Sequence, residues 1–545
     1  MECGHGIWLQ VLPLLQVLAS RERNQDLFHV MLQLAAGMVR SSRMLLLTIL
    51  LLCLLALSAK VWCNRLPGCK RSWSSTIPGP AGMPVVGNLV EFGRAAGQPH
   101  RWLAELAAAL NPSAGLMALQ LGSTRLVVAS KPEAAREILS SPCFGDRPIK
   151  QSAQELMFGR AIGFAPQGEH WRRLRRIAAH SLFSPRRMAA QEHIRLQESE
   201  AMLGAIRRQG QQDPLPLRCI LQQTSVRTMM RSVFGWRSSN KEQEEELVSM
   251  VREGFDLLGA VNWADHIPLL KHLDAQAIQR RSRVLAARVS AFVGGIIRQH
   301  RLAAATGNAG MRSDDFVDVL LALQGEDELQ DDDIVAVLWE MIFRGTDTTA
   351  ILTEWVLAEL VVHPDIQRKL HLELDATLGA EDVRDDHVHR LTYLQAVVKE
   401  TLRLHPPGPL LSWSRLCTQD TTIAGGHHVP KGTNAMVNMW AITHDSTIWT
   451  QPHRFLPERF MAGAGGADMD VKGSDLRLAP FGSGRRVCPG RALGLATVHL
   501  WVARLLQKFE WLACTDHPVE LQEVLKLSAE MAKPLRACPV PRRPM

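Results

Sequence analysis

The chain has 545 residues and a formal net charge of +8; 46% of its residues are hydrophobic and 21% are charged. This composition provides enough apolar material for a large core and excludes wholesale disorder. None of the ten cysteines forms a C-x-x-C pair, which argues against a zinc ribbon or a thioredoxin-like redox protein. No nucleic-acid-binding motif is present, so we expect no nucleic-acid partner. The mild positive charge permits a membrane surface or an acidic protein as partner.

An uncharged apolar run near the amino end predicts a transmembrane anchor over residues 44–63. The run covers Met44–Ala59 and extends through Cys63 if Lys60 snorkels, which gives about 20 residues, the length of a bilayer-crossing helix. More basic residues follow the run than precede it, which places the rest of the chain in the cytosol. A signal-peptide core and a buried helix are the alternatives. The sequence does not determine the structure of the extension that precedes the anchor, residues 1–43.

The segment after the anchor, residues 64–84, is basic and proline-rich and has the composition of a hinge. Its last residues include Pro78, Pro80 and Pro84, which stiffen the chain and prevent a helix from continuing. Beyond it no linker divides residues 85–545, where helical periodicity dominates over short β-like runs. We therefore expect one large, mainly α-helical domain with minor β structure behind the anchor.

The most informative stretch is a glycine-rich loop around one cysteine, Phe481–Gly490. Gly482 and Gly490 allow the backbone to turn tightly and to approach a flat ligand closely. A proline then opens the helix predicted over Arg491–Leu506, so Cys488 comes just before a helix amino end. The helix dipole and the neighbouring arginines favour the thiolate form of this cysteine. The alternative is a glycine-rich turn with an ordinary buried cysteine.

A long helix predicted over Ile334–Val362 contains polar residues that are unusual inside a packed helix, Gly345–Thr349. We expect Asp331–Asp333 to cap its amino end. An acid beside an alcohol, as at Asp347 and Thr348, is suited to transfer protons. A helix kink or a solvated face is the alternative interpretation.

Two further segments are charged. Glu400 and Arg403 lie one helical turn apart, which by itself indicates only an ion pair. Trp171 begins a basic helix that runs to Arg176, and a basic helix by itself is usually a solvated face.

Taken together, these motifs resemble the cytochrome P-450 family, whose heme-binding loop has the pattern Phe-x-x-Gly-x-Arg-x-Cys-x-Gly shown by residues 481–490. The resemblance implies the cytochrome P-450 fold, with heme b bound by the Cys488 thiolate, an iron ligand that favours O–O cleavage. It implies catalytic roles in the activation of dioxygen, in which Thr348 would hold the oxygen and Asp347 would relay protons from solvent. The residues that it assigns to heme binding are Trp171, Arg175, Arg415, Phe481, Gly482, Arg486, Cys488 and Gly490. Among them, Trp171 and the three arginines would contact the propionates. It also implies a buried structural network of Glu400, Arg403 and Arg459.

Two stretches, Asp146–Lys150 and Phe343–Thr348, are similar to a plant group of that family, family seventy-eight, subfamily A. In this group Arg344 is a subfamily trait, where the wider family usually has a small residue. The resemblance implies a monooxygenase that inserts one atom of dioxygen into a lipophilic, fatty-acid-like substrate, with a role in plant growth and organ size. It places the enzyme at the endoplasmic reticulum membrane, with its catalytic domain in the cytosol.

Electrons would come from NADPH through a separate flavoprotein reductase, because the chain has no glycine-rich nucleotide-binding unit of its own. The basic helix, together with Arg485 and Arg491, would receive this acidic redox partner. One alternative is a heme-thiolate isomerase or dehydratase, which needs no proton relay to dioxygen. A second is a heme-binding sensor without turnover.

Overall fold

The computed structural model describes residues 77–95, 97–110, 114–210, 214–235, 241–306, 315–411 and 414–542. These residues belong to one unit that runs from Ser72 to Met545. The apolar run predicted to be an anchor and the extension before it lie outside the described residues. Within the described part of the chain, no helix is long and apolar enough to cross a membrane.

Helices dominate the described chain and strands are short, which confirms the predicted fold class. In chain order the helices are α1 (Leu89–Arg94), α2 (Pro99–Leu110), α3 (Pro132–Ser140), α4 (Gln151–Glu155), α5 (Glu169–Ile177), α6 (Pro185–Ala190), α7 (Glu192–Gln209), α8 (Leu217–Phe234), α9 (Lys241–Gly259), α10 (Trp263–His266), α11 (Ile278–Ala305), α12 (Phe316–Leu321), α13 (Asp331–Val362), α14 (Pro364–Leu378), α15 (Thr392–Leu404), α16 (Met439–Thr443) and α17 (Arg491–Lys508). The strands are β1 (Leu116–Leu121), β2 (Thr124–Ala129), β3 (Leu215–Pro216), β4 (Arg415–Leu416), β5 (Thr421–Ile423), β6 (His427–Val429), β7 (Asn434–Val437), β8 (Phe509–Ala513), β9 (Glu523–Leu525), β10 (Ala529–Met531) and β11 (Arg536–Pro541).

Helix α13 has 32 residues and is the central element of the fold. At about 1.5 Å per residue it spans roughly 48 Å, and most of its side chains are buried. Its amino half packs with α8, α9 and α11, and its carboxyl half packs with α15 and α17. The helix ends at Val362, because a proline disfavours the helical conformation at the residue before it, here His363. A helix with apolar residues on all sides is expected to run through the core of a large domain.

The predicted cap of α13 is wrong. Asp331–Asp333 form the first turn of the helix, and the cap position is occupied by Gln330, whose side chain makes no capping hydrogen bond. Acidic side chains in a first turn are instead stabilised by the positive end of the helix dipole. Two of them also pair with arginines, Asp331 with Arg301 and Asp333 with Arg160.

The largest sheet has the strand order β1-β2-β7-β4. β1 and β2 form an antiparallel hairpin, β7 joins β2 in parallel, and β4 is antiparallel to β7. The end of the segment predicted to be a hinge contacts this sheet, because Pro78 O accepts a hydrogen bond from Ala118 N at 2.9 Å. Ile77 is buried in the same cluster of apolar side chains as β1. The smaller sheets are β3-β11-β8, β9-β10 and β5-β6.

Candidate active site

The cysteine loop precedes α17, and its backbone is shaped by glycine. Gly482 and Gly484 have φ values of +73° and +67°, a region that favours glycine. A Cβ atom at Gly484 would also overlap the carbonyl oxygen of Leu139, so α3 approaches the loop too closely for any side chain there. The loop is closed by a hydrogen bond from Cys488 N to Phe481 O at 3.0 Å. Gly490 occupies the cap position of α17.

This loop forms one wall of a large internal cavity. Phe481, Gly482, Arg486, Cys488 and Gly490 line it, together with residues of α8 and α13. Cys488 is the only described cysteine that lines the cavity; the other described cysteines are located elsewhere in the fold.

The pKa of the Cys488 thiol is set by opposing effects. Burial raises it, whereas nearby arginines, Arg344 first among them, and the backbone N–H of Gly490 at the amino end of α17 lower it. The arginines and the helix amino end thus act in the direction expected from the sequence, and burial opposes them. A coordinated metal ion deprotonates its thiol ligand, so metal binding would complete the deprotonation.

Three of the predicted arginines line the cavity beside the loop, and each donates to backbone carbonyl groups. Arg175 donates to Val487 O at 2.8 Å and Arg415 to Ser483 O at 3.4 Å. Arg486 donates to three carbonyls, those of Gly145, Ile162 and Ala165. Burial and the like charges of Arg486 and Arg175 lower the pKa of Arg415 to about 9. Contact with propionates stays a prediction for all three.

Trp171 is placed differently from the arginines. Its indole N–H donates to Ile162 O at 3.1 Å, and it is not among the residues that line the cavity. The guanidinium of Arg486 lies 4.3 Å from the centre of the Trp171 ring. In this arrangement Trp171 positions Arg486 through a cation–π contact instead of reaching the cavity itself.

The acid and alcohol predicted to handle protons lie side by side on α13. Thr348 lines the cavity, whereas Asp347 points toward α8, where its Oδ1 accepts a hydrogen bond from Gln222 Nε2 at 3.3 Å. Burial, and next the negative charge of Glu530, raise the pKa of Asp347 to about 6. A carboxyl group with such a pKa exchanges protons near neutral pH more readily than an ordinary aspartate.

A cluster of charged side chains connects the surroundings of Asp347 with the surface. Arg218 binds Glu354 at 2.8 Å and lies 3.5 Å from Glu530. Glu530 in turn binds Lys526 at 2.6 Å, and the Lys526 side chain is exposed. Sequence reasoning missed this cluster because its members come from α8, α13 and the β9-β10 hairpin, and only folding brings them together.

The predicted structural network is assembled in the described chain. Arg403 binds both oxygens of Glu400 at 2.8 and 2.9 Å, and Arg459 Nε binds Glu400 at 3.1 Å. Glu400 and Arg403 are completely buried. Tyr393, the single tyrosine of the chain, donates from its hydroxyl to Glu458 at 2.8 Å. It therefore links α15 to the segment Pro457–Phe460 that carries Arg459.

Two charged residues in the cavity wall have no predicted role. Arg147 donates to Gly163 O and to Ser414 O, and Glu340 accepts from Gly163 N at 2.9 and 3.2 Å. Both line the cavity. The sequence could have pointed to Glu340, because it lies four residues before Arg344 in an otherwise apolar part of α13. The sequence signal for Arg147 is its place in Asp146–Lys150, the stretch that resembles the plant group, and this resemblance assigns it no role.

The donor set of this cavity fits heme. One cysteine sulfur can ligate iron, arginines at the same wall can pair with two carboxylates, and the remaining lining is largely apolar with glycines that allow close approach of a flat ring. The residues present therefore meet the requirements of a heme-thiolate site.

Comparisons with known proteins agree with this fit. Residues 77–537 match the model of the cytochrome P450 family. The chain is 54% identical over 486 residues to cytochrome P450 78A11 of Oryza sativa subsp. japonica, and the match covers 87% of both chains. It is 34% identical over 515 residues to flavonoid 3'-monooxygenase of Arabidopsis thaliana, and this match covers 91% of this chain and 97% of the other.

The fold comparison points the same way. A zebra fish cytochrome P450 solved with progesterone superposes with a TM-score of 0.68 at 24% identity, covering 81% of this chain and 99% of that one. The motif-based resemblance and the predicted heme cofactor are thus confirmed. The chain belongs to the cytochrome P450 monooxygenase family, within the plant group seventy-eight A, and binds heme through a cysteine thiolate.

Proposed function

We propose that this protein is an NADPH-dependent monooxygenase that hydroxylates a lipophilic, fatty-acid-like substrate, in a pathway of plant growth and organ-size control. The observation that carries the proposal is that Cys488 and Thr348, from different elements, line one largely apolar cavity, with Asp347 directly behind Thr348. The overall reaction consumes the substrate, dioxygen, NADPH and one proton, and yields the alcohol, water and NADP⁺. Bound heme supplies the activation of dioxygen, with Cys488 as its thiolate ligand.

The chain's own residues supply protons. Thr348 lines the cavity, and its hydroxyl would hold a hydrogen bond to the oxygen that becomes water. Asp347 would pass protons toward it, because its pKa of about 6 allows both protonation and release near neutral pH. Gln222 holds Asp347 Oδ1 on the α8 side. This arrangement favours a monooxygenase over an isomerase or a dehydratase, which needs no protons for dioxygen.

A basic surface next to the cysteine loop supports the proposed reductase partner. Arg172 and Arg485 are exposed, and Arg176 is half exposed and pairs with Asp327. Positive charge near the buried cysteine would attract an acidic flavoprotein and shorten the path for electrons. Charge reversal at Arg485 should slow reduction of the heme by the reductase and weaken its dependence on salt, without changing heme content.

The proposal is tested with the heme-loaded protein, a plant NADPH-dependent reductase and lipid-extract fractions. Fractions are first screened for displacement of the water ligand from ferric heme. Binding fractions should then cause NADPH consumption and a product heavier by one oxygen atom derived from ¹⁸O₂. An isomerase would convert a peroxide without NADPH, and a sensor would bind without turnover, so either result contradicts the proposal.

We retain the membrane anchor as part of the proposal on the strength of the apolar run in the sequence. Deletion of residues 1–63 should release the protein from microsomal membranes without detergent while heme binding is kept. Loss of heme together with this segment would contradict the division into anchor and catalytic domain.

A further inference from the structure

The β9-β10 hairpin carries a buried acid close to the predicted proton relay. Leu527 and Ser528, in the turn of the hairpin, line the cavity. Glu530 follows on β10, and only 9% of its side chain is exposed. The backbone beside it is fixed to α13, because Trp355 Nε1 donates to Ala529 O at 3.2 Å. The fold therefore holds this acid against the helix that carries the relay.

Two cations flank the Glu530 carboxylate. Lys526 Nζ lies 2.6 Å and Arg218 Nη1 lies 3.5 Å from its Oε1. Arg218 also binds Glu354 on α13 at 2.8 Å and donates to Met531 O at 2.7 Å. Arg218 thus holds Glu530 from the interior, whereas the exposed Lys526 holds it from the side of the solvent.

The same face of α8 reaches Asp347. Gln222 lies one helical turn after Arg218, and its Nε2 donates to Asp347 Oδ1 at 3.3 Å. Asp347 and Glu354 are two helical turns apart on α13, so they lie on one side of that helix. Arg218 and Gln222 therefore hold two acids of α13 in a row, and Glu530 joins this row from the hairpin.

The charges of these elements act on Asp347 in opposite directions. Burial raises the pKa of Asp347 most, and the negative charge of Glu530 comes next. The hydrogen bond from Gln222 and the positive charges of Arg218 and Lys526 lower this pKa, which is about 6. Because Arg218 is also engaged by Glu354, the pair on the hairpin decides how readily Asp347 holds a proton.

We propose that Glu530 is a positioning residue for proton delivery, whose negative charge keeps a proton available on Asp347 near neutral pH. This inference rests on the proposed function for the use of that proton. In each reaction cycle Asp347 would pass a proton toward Thr348 and regain one from solvent. The neighbouring Glu530 disfavours the charged form of Asp347 between these steps, and Lys526 opposes that effect.

The test measures the protonation of Asp347 in the ferric heme-loaded protein, which requires neither reductase nor dioxygen. The carboxyl infrared band that Asp347→Asn removes is titrated through about pH 6. Glu530→Gln should move its midpoint from about 6 toward the ordinary value of 3.8, because a negative charge is removed. Lys526→Gln should move the midpoint above 6, because a positive charge is removed. Product per NADPH should shift with the same midpoints, and Glu530→Asp should stay close to the wild type.

Glu520→Gln and Lys533→Gln are the matched controls. These two residues form an ion pair of the same length, 2.6 Å, at an exposed position, and neither should shift the midpoint. The fold of Glu530→Gln should hold, because Arg218 keeps its bonds to Glu354 and to the backbone of β10.

A purely structural role for Glu530 does not produce opposite shifts in the two hairpin variants. Shifts in one direction, or a midpoint that stays at about 6 in either variant, would overturn the proposal. If Glu530→Gln loses heme, Lys526→Gln decides, and a midpoint at or below about 6 in that variant overturns the proposal. Opposite shifts without NADPH-dependent product would instead contradict the monooxygenase function and leave the effect of Glu530 on Asp347 standing.

Discussion

Two Glu–Arg pairs on neighbouring helices of this protein are built in different ways. Glu400 on α15 is bound by Arg403 and Arg459 at 2.8–3.1 Å, and the Glu400 and Arg403 side chains have no exposed surface. Glu340 and Arg344 on α13 are 3.9 Å apart, and the arginine is accessible from the cavity. The same residue types thus form a closed structural network in one place and an accessible charge in the other. The two pairs therefore differ in burial, which the residue types alone do not determine.

The comparison extends to the two walls of the cavity. On the side of the cysteine loop, substitutions of the buried arginines should remove heme or weaken the fold, because Arg175, Arg415 and Arg486 each donate to backbone carbonyls there. On the α13 side, substitutions should leave heme and fold intact and change only the chemistry. Substitutions at Cys488, Glu400, Thr348 and Asp347 test this division, from the largest expected effect to the smallest.

The largest effect is expected at the thiolate. Cys488→Ala should abolish the thiolate-type spectrum of the reduced carbon monoxide complex, because only a thiolate supplies the electron density that shifts it. Cys219→Ala, at an exposed cysteine, should leave the spectrum unchanged. A normal spectrum in the Cys488 variant would disprove the ligand assignment.

Next in size is the closed network. Glu400→Ala leaves two arginines without their carboxylate, and breaking a buried ion pair costs about 3–5 kcal/mol. We expect a much lower thermal midpoint and loss of heme on purification, measured by calorimetry and by the heme-to-protein absorbance ratio. If the variant retains heme at wild-type stability, the network is not structural and the comparison with Glu340 fails.

Thr348→Ala tests the α13 wall. Heme content, substrate binding and NADPH consumption should persist, while electrons are diverted to hydrogen peroxide and product per NADPH falls, by up to about 10²–10⁴-fold for a general-acid contribution. The fold should hold because alanine does not lower helix propensity. Thr353→Ala is the matched control: Thr353 hydrogen-bonds Thr349 O and does not line the cavity. If Thr348→Ala gives the wild-type ratio of product to NADPH consumed, Thr348 has no role in oxygen activation.

The smallest expected effect is a pH dependence at Asp347. Its pKa of about 6 lies above the ordinary value of 3.8, so the folded protein favours the protonated form. The stability contributed by this group is fully present below about pH 4 and is lost as the pH rises through about 6. Product per NADPH should also decline above pH 6, as less Asp347 is protonated.

Asp347→Asn should flatten the pH profile of product per NADPH and should not lower stability at pH 8. The profile is measured from product and peroxide between pH 5.5 and 8.5. The variant should keep its heme. A profile with the same midpoint in the variant would assign the titration to another group.

The amino-acid sequence by itself determined the family and the loop chemistry. Phe481, Arg486, Cys488 and Gly490 lie within ten residues of one another, so their spacing can be recognised in the sequence. The glycine conformations and the start of the following helix also depend on residues that are close in the chain. The pairing of Glu400 with Arg403 is likewise a matter of one helical turn. The long run of apolar residues was enough to predict helix α13. Its start was predicted one turn too late, at Ile334 instead of Asp331, because acidic residues are favoured both at a cap position and in a first turn.

Only the tertiary structure decided which charges meet. It shows that burial opposes the arginines at the Cys488 thiol, that the Trp171 ring lies against Arg486, and that Arg147 and Glu340 line the cavity. It also brings Asp347 to Gln222 and near Glu530, residues more than 100 positions away in the chain. The cost of burying a charge depends on every group packed around it, and for these residues most of those groups come from distant segments that only folding assembles.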